Sequence, residues 1–278
     1  MNFNLKIGAT GQETKRMQSR LNVDCDGRFG SKTEDALKVF QKNNGISQDG
    51  VYGLGTQTKM GTQVWPGVDV SHHNGSIDWK RVAETQKFAI VKLTEGRNFK
   101  DRNGEYNYKS AKDAGLSVGA YHFGRPDSDV GPSDPQKEAE HFVSQLNIAG
   151  FKPGIDLAPV LDLESGTKSD SYNVDWALKF CESIKLQTGV NPIIYTAAWF
   201  YNSDLVNSSK ESLEKLKSYK VWWANYTTNF QKDPNLKLWD SWDIWQWTGR
   251  GTVAGISGRV DCNWLPGGDC GLRALAGG

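Results

Sequence analysis

The sequence predicts an α/β protein: a closed β/α barrel with an incomplete outer ring of helices, preceded by a small all-α helical bundle. Three observations carry this expectation. A D-G-x-aromatic-G-x-x-T pattern occurs twice in the first sixty residues, around a stretch of helical apolar period. Past residue 66 the chain changes to eight short apolar runs, the early ones separated by helical stretches, and strand-then-helix order implies parallel pairing. Polar and acidic residues gather at the ends of these runs, where a parallel barrel has a single rim.

The two copies of the short pattern span residues 26–33 and 49–56. Each Asp-Gly pair makes a turn, and the second glycine permits positive φ. The Ser/Thr positions are expected to cap helix starts. Between the copies, Ala36, Leu37, Val39 and Phe40 predict a helix that buries one face. An earlier helix is expected over residues 12–21, through Met17 and Leu21. Residues 1–60 form the predicted bundle, residues 61–66 a linker, and residues 67–278 the barrel.

The apolar runs cover residues 67–70, 88–93, 117–123, 158–163, 192–196, 221–224, 243–247 and 259–261. Helical stretches at 106–114, 136–146 and 174–187 separate the early ones. Little that looks helical separates the last, which leaves the outer ring incomplete.

Composition excludes several classes. A formal net charge of +1 with no basic run gives no pull toward nucleic acid. The N-terminus lacks the apolar core of a secretory signal, and no stretch reaches membrane-spanning length. A protein made in the cytoplasm without a signal peptide is expected. Cys25, Cys181, Cys262 and Cys270 form no CxxC and have no His at zinc-ligand spacing. No metal and no cofactor is expected. Reduced thiols are the first reading, and a Cys262–Cys270 bridge across a Pro-Gly-Gly turn the second.

Asp69 closes the first run; Lys92 and Glu95 the second; Tyr121 and His122 the third; Asp162 and Glu164 the fourth. Tyr195 closes the fifth, Asn225 follows the sixth, Gln246 closes the seventh and Asp261 the eighth. Residues i and i+2 of a strand share a face, so Asp162 and Glu164 point the same way. Neighbouring carboxylates disfavour joint ionisation. Glycoside hydrolysis needs that asymmetry, a protonated acid for the leaving oxygen and an anion for the developing cation. A solvated D-x-E at a strand end is the bland alternative. His72 and His73 are adjacent and read as loop polarity, not as a metal pair. Lys92 and Glu95 read as an ion pair under the site. The tryptophans Trp239, Trp242, Trp245 and Trp247 read as a mixture of core and sugar platform.

The first sixty residues resemble the peptidoglycan-binding type 1 modules, through 26–41 and 45–56. Residues 67–265 resemble the family 25 glycoside hydrolases. The carrying pieces, in order, are Gly67-Val68-Asp69-Val70-Ser71, Ile90-Val91-Lys92-Leu93-Thr94-Glu95-Gly96, Gly119-Ala120-Tyr121-His122-Phe123 and Pro159-Val160-Leu161-Asp162-Leu163-Glu164. Ile194-Tyr195-Thr196, Trp222-Trp223-Ala224, Trp245-Gln246-Trp247-Thr248 and Val260-Asp261-Cys262-Asn263 complete them. The resemblance implies a TIM-like, flattened barrel and a muramidase that cleaves the β-1,4 bond between N-acetylmuramic acid and N-acetylglucosamine. It implies Glu164 as general acid and Asp162 as nucleophile or positioner of the substrate's acetamido group. Asp69 and Asp261 complete the carboxylates, and Tyr121, Tyr195, Trp245, Lys92 and Asn225 contact substrate. A monomeric phage lysis endolysin acting on peptidoglycan strands, and released by a holin-type partner, is the setting it suggests. Another N-acetylhexosaminidase, chitinase-like, and a non-catalytic wall-binding protein stay open as alternatives.

Overall fold

A computed structural model describes residues 5–53, 56, 59–60, 64–126, 131, 133–166, 169–226, 236–239, 242–266 and 268–277. The chain divides into two compact units, residues 1–65 with 265–275 and residues 66–264 with 276–278. The C-terminal segment 265–275, which the sequence places with the barrel, thus groups with the N-terminal residues.

In the first unit α1 (Gln12–Arg20) buries Thr14, Met17 and Gln18, and α2 (Ser31–Asn43) buries Thr33, Leu37 and Gln41. Both sets follow the i, i+3/i+4 spacing of one helix face. Val39 lies off that face and is 58% exposed, so the expected apolar stripe is narrower. Met17, Phe29, Leu37, Tyr52 and Met60 form the core. Two buried glutamines order the repeats. Gln18 Nε2 donates to Asp26 Oδ1, the Arg28 carbonyl and Thr33 Oγ1 at 2.8, 2.9 and 3.1 Å. Gln41 Nε2 donates to Asp49 Oδ1, the Val51 carbonyl and Thr56 Oγ1 at 2.8, 3.0 and 3.1 Å. Each glutamine oxygen accepts the amide of the turn glycine, Gly27 at 2.9 Å and Gly50 at 3.0 Å. Those glycines sit at φ 74° and 67°, the left-handed region in which a Cβ is strained. Thr33 therefore does not cap a helix: α2 starts after Gly30 without a side-chain cap, and the threonine hydroxyl closes the glutamine's circuit.

A C-terminal helix, α9 (Gly268–Leu275), packs against α1. Trp65 Nε1 donates to Asp269 Oδ1 at 3.1 Å within the same unit. The thiol expectations need correction. Cys25 is disulfide-bonded, whereas Cys181 and Cys262 are buried free thiols. Cys262 thus makes no bridge, and the side chain of Cys270 lies outside the described residues.

The second unit is a closed barrel. Its strands are β1 (Val64–Val70), β2 (Phe88–Glu95), β4 (Ser117–Phe123), β5 (Val160–Asp162), β6 (Ile193–Ala197), β7 (Val221–Ala224), β8 (Ile244–Gly251) and β9 (Val260–Pro266). A two-residue strand, β3 (Phe99–Lys100), pairs antiparallel with β2 outside the ring. Ring order is β1-β2-β4-β5-β6-β7-β8-β9, returning to β1. Pairing is parallel from β1 to β8 and antiparallel between β8 and β9. The expected all-parallel sheet is therefore wrong at its last strand. Residues 252–259 are too few for a parallel crossover, which needs about a dozen residues or more.

Strands buried on both faces read as continuous apolar runs, and residues 88–91 are fully buried. The helices are α3 (Trp79–Ala83), α4 (Gly104–Asp113), α5 (Asp134–Ala149), α6 (Asp170–Thr188), α7 (Ala198–Asp204) and α8 (Lys210–Lys217). Phe142 and Leu146 of α5 and Phe180 and Ile184 of α6 are buried under this layer, each contributing roughly 1.5–3 kcal/mol. No helix is described between β8 and β9, in keeping with the incomplete outer ring.

Candidate active site

Strand register sets the site. Asp69 lies one residue from the end of β1. Lys92 on β2 pairs with Tyr121 on β4. Asp162 ends β5 and pairs with Tyr195 on β6, which pairs with Trp222 on β7. Glu164 follows Asp162 by two, on the same side of the chain. Asp261 is the second residue of β9 rather than the last of a parallel strand. Because β9 runs antiparallel to β8, its start lies on the rim where the other strands end. These residues line one cavity of about 230 Å³ together with Ser71, His73, Phe123, Tyr226 and Gln246.

A hydrogen-bond chain fixes its floor. Asp69 Oδ2 accepts from Gln246 Nε2 at 3.0 Å and Asn263 Nδ2 at 2.7 Å. Trp222 Nε1 donates to Asn263 Oδ1 at 2.8 Å. Gln246 Oε1 accepts the hydroxyls of Tyr195 and Tyr226, both at 3.0 Å. Gly249 leaves room here: a Cβ on it would meet Asp261 Oδ1 at 2.9 Å and the Tyr226 hydroxyl at 3.1 Å. On the other side Lys92 Nζ donates to Glu95 Oε2 at 2.6 Å, and Arg125 Nε donates to Glu95 Oε1 at 3.0 Å. The Lys92–Glu95 ion pair read from the sequence is present. Lys92 also faces the rings of Phe123 and Tyr121, at 5.0 and 6.0 Å. Arg125 reaches Ser165 Oγ at 3.2 Å, beside Glu164. Below, buried His122 is held by Thr94 Oγ1 and Glu138 Oε2, both at 2.8 Å.

All four carboxylates are pushed toward the neutral form. Burial raises Asp162 well above the usual range, Glu164 adds to it, and Lys92 opposes it. Burial and then Asp261 raise Asp69, against its two amide donors. Burial raises Glu164 first; Asp261 adds, while Tyr195 and Lys92 pull down. Burial pushes Asp261 up to about 6. Asp162 is 7% exposed, and its Oδ1 has no hydrogen-bond partner among the described residues. A buried acceptor left open costs stability, which suits a group whose partner arrives with a ligand. Among the described residues no cluster of His, Cys, Asp and Glu could hold a metal ion.

Asp69, Asp162, Glu164, Asp261, Tyr121, Tyr195 and Lys92 share the cavity lining, and two expected contacts do not. Trp245 is 2% exposed, and its Nε1 donates to the Asn225 carbonyl at 2.8 Å. Both are occupied in joining β7 to β8. Side chains alternate along a strand, so with Gln246 facing inward Trp245 faces out. Trp239 and Trp242 are buried as well, and Trp247 is half-buried against Trp264. Sequence reasoning missed Tyr226, one residue beyond Asn225, and set aside His73, which lines the cavity. His72 instead pairs with buried Asp101 at 2.7 Å.

A model of the glycosyl hydrolases family 25 matches residues 68–256, and a peptidoglycan binding domain model matches residues 10–60. Lysozyme M1 of Streptomyces globisporus is 32% identical over 247 residues, covering 81% of this chain and 80% of that protein. The crystal structure of a bacterial lysozyme from Streptomyces coelicolor superposes with a TM-score of 0.66 at 32% identity, over 77% of this chain and 97% of that one. The CTP1L endolysin superposes with a TM-score of 0.60 at 29% identity, over 72% of this chain and 66% of that one. Two-thirds of the chain falls within the first match, and the carboxylate cavity lies at the rim of that domain. The chain therefore belongs to glycosyl hydrolase family 25, as a lysozyme-type glycoside hydrolase with an N-terminal peptidoglycan-binding domain.

Proposed function

We propose that the barrel hydrolyses the β-1,4 bond between N-acetylmuramic acid and N-acetylglucosamine, with Glu164 as general acid. The observation that carries this is the opening of Glu164 and Asp162 into one cavity lined also by Asp69 and Asp261. Glu164, pushed toward its protonated form by burial and by the Asp261 charge, gives its proton to the glycosidic oxygen. Asp162 takes the role of nucleophile or of acetamido positioner. Its unpartnered Oδ1 fits a substrate N–H, which favours positioning, with the substrate's own carbonyl assisting departure. Asp69, held by Gln246 and Asn263, and Asp261 supply negative potential for the oxocarbenium-like state. Tyr121, Tyr195 and Lys92 line the walls and orient the sugar.

Residues 1–60, in the unit that residues 265–275 rejoin, act as the wall-binding domain and the barrel of residues 66–264 as the catalytic domain, and the enzyme works as a monomer. Its proposed setting is release at phage lysis. The test is clearing of purified peptidoglycan with mass analysis of the new reducing ends. Ends in N-acetylmuramic acid are expected. Ends in N-acetylglucosamine, or none, would overturn the assignment and leave the chitinase-like or non-catalytic alternative.

A further inference from the structure

Of the clustered tryptophans, Trp239, Trp242 and Trp245 are buried, and an exposed tryptophan stands elsewhere on the rim. Trp199 is 60% exposed and sits two residues past the end of β6. Tyr226 is 62% exposed and sits two residues past the end of β7. Ala197 and Ala224, the last residues of these strands, are register partners. Trp199, in the first turn of α7, and Tyr226 therefore both follow the rim ends of neighbouring strands. Glu164 stands two residues past the end of β5, whose last residue, Asp162, pairs with Tyr195. Both aromatics thus stand on the rim that carries the acid, where strands β5, β6 and β7 end.

Both rings are held despite their exposure. Trp199 packs edge-on against Phe200, with ring centres 5.5 Å apart, and Phe200 is buried. The Tyr226 hydroxyl is tied to Gln246 Oε1 at 3.0 Å, in the hydrogen-bond chain that ends on Asp69. A fixed ring facing water loses little entropy on binding, and its apolar face matches the C–H face of a pyranose.

We propose that Trp199, with Tyr226 beside it, is a glycan-binding subsite that stacks a sugar one position away from the cleaved bond. It continues the catalytic cavity, which Tyr226 already lines, so its occupant is the same N-acetylated glycan strand. The proposal rests on the muramidase reading for the identity of that strand.

The test compares wild type, Trp199→Ala and Trp199→Phe on two substrates. One is a soluble hexasaccharide of alternating N-acetylglucosamine and N-acetylmuramic acid; the other is an aryl glycoside that fills only the cleavage position. For Trp199→Ala, KM on the hexasaccharide should rise about fivefold to tenfold, with the aryl glycoside unaffected. Trp199→Phe should restore most of the difference. Calorimetry of the hexasaccharide on Glu164→Gln, with and without Trp199→Ala, should show the same ratio in Kd. Equal KM and Kd with and without the indole would overturn the subsite, as would an equal loss on both substrates. Failure of wild type to release muramic acid ends would instead sink the functional reading, and the Kd comparison would still decide glycan binding at Trp199.

Discussion

Asp26 in the first unit accepts from Gln18 Nε2 and from the Arg28 amide, both at 2.8 Å. Its carboxyl lies below the usual range, chiefly through that backbone bond. Asp162 in the barrel is buried, has one oxygen without a partner, and lies well above the usual range. The same chemical group is satisfied by its neighbours in one place and left wanting in the other. The turn aspartates hold their fold together, whereas the rim carboxylates cost the barrel stability and keep the charge state that chemistry needs.

The linkage follows opposite signs. A carboxylate lowered on folding, such as Asp26, contributes stability above its unfolded pKa and loses it as pH falls through the folded value. The rim carboxylates are raised. Their contribution is full below the ordinary carboxylate range and is lost as pH rises through their folded values, near 6 for Asp261 and well above the usual range for Asp69 and Asp162.

The sharpest test of this contrast is catalytic. Glu164→Gln should fold, bind peptidoglycan and lose on the order of a hundredfold or more in kcat/KM. An aryl glycoside with a good leaving group should partly rescue it, but should not rescue Asp162→Asn. Near wild-type cleavage by Glu164→Gln would place the acid elsewhere.

On the structural side, Gln18→Ala and Gln41→Ala should each cost the first unit about 1–3 kcal/mol by stranding buried partners. Activity on a soluble glycoside should not change. The two losses should be similar, because the two circuits are geometrically the same; denaturant titration decides.

Asp162→Asn should raise the barrel's melting temperature at pH 7.5 by about 2–4 °C and by less at pH 5, where the wild-type carboxyl is closer to neutral. A drop at both pH values would mean that the charged carboxylate is stabilising. Asp261→Asn should move the alkaline limb of kcat/KM to lower pH, because the lost charge had been raising Glu164. A shift upward would contradict the proposed coupling. The smallest effect concerns sulfur. Peptides carrying Cys181 and Cys262 should label on unfolding alone, and the peptide carrying Cys25 only after reduction.

The legible parts of the molecule were those with a period. Residues 117–123 and 221–224 are strands to the residue, because runs bounded by turns and buried on both faces leave no other reading. Strand direction has no period, so the reversal at β9 escaped, although the short 252–259 connection signalled it. Asp261 reaches the rim not by closing a parallel strand but as the second residue of a reversed one. Trp245 and Gln246 could not both face the cavity, and strict alternation would have removed one. Gln18 and Gln41 each stand eight residues before the Asp of their repeat, a spacing that marks them only when the echo is extended from the turns back into the helices. Trp199 follows a strand within a short helix, where no sequence pattern distinguishes an exposed ring from a buried one.

The return of residues 265–275 to the unit that begins the chain makes the barrel an insertion rather than a tail. The family match for the N-terminal domain ends at residue 60, yet α1 packs against a helix formed more than two hundred residues later. A gene fusion that carries only the first sixty-five codons to a new enzyme leaves that helix behind. Exchanging catalytic barrels between lysins of this build takes two crossovers, one on each side of the inserted domain, where a beads-on-a-string arrangement would need one.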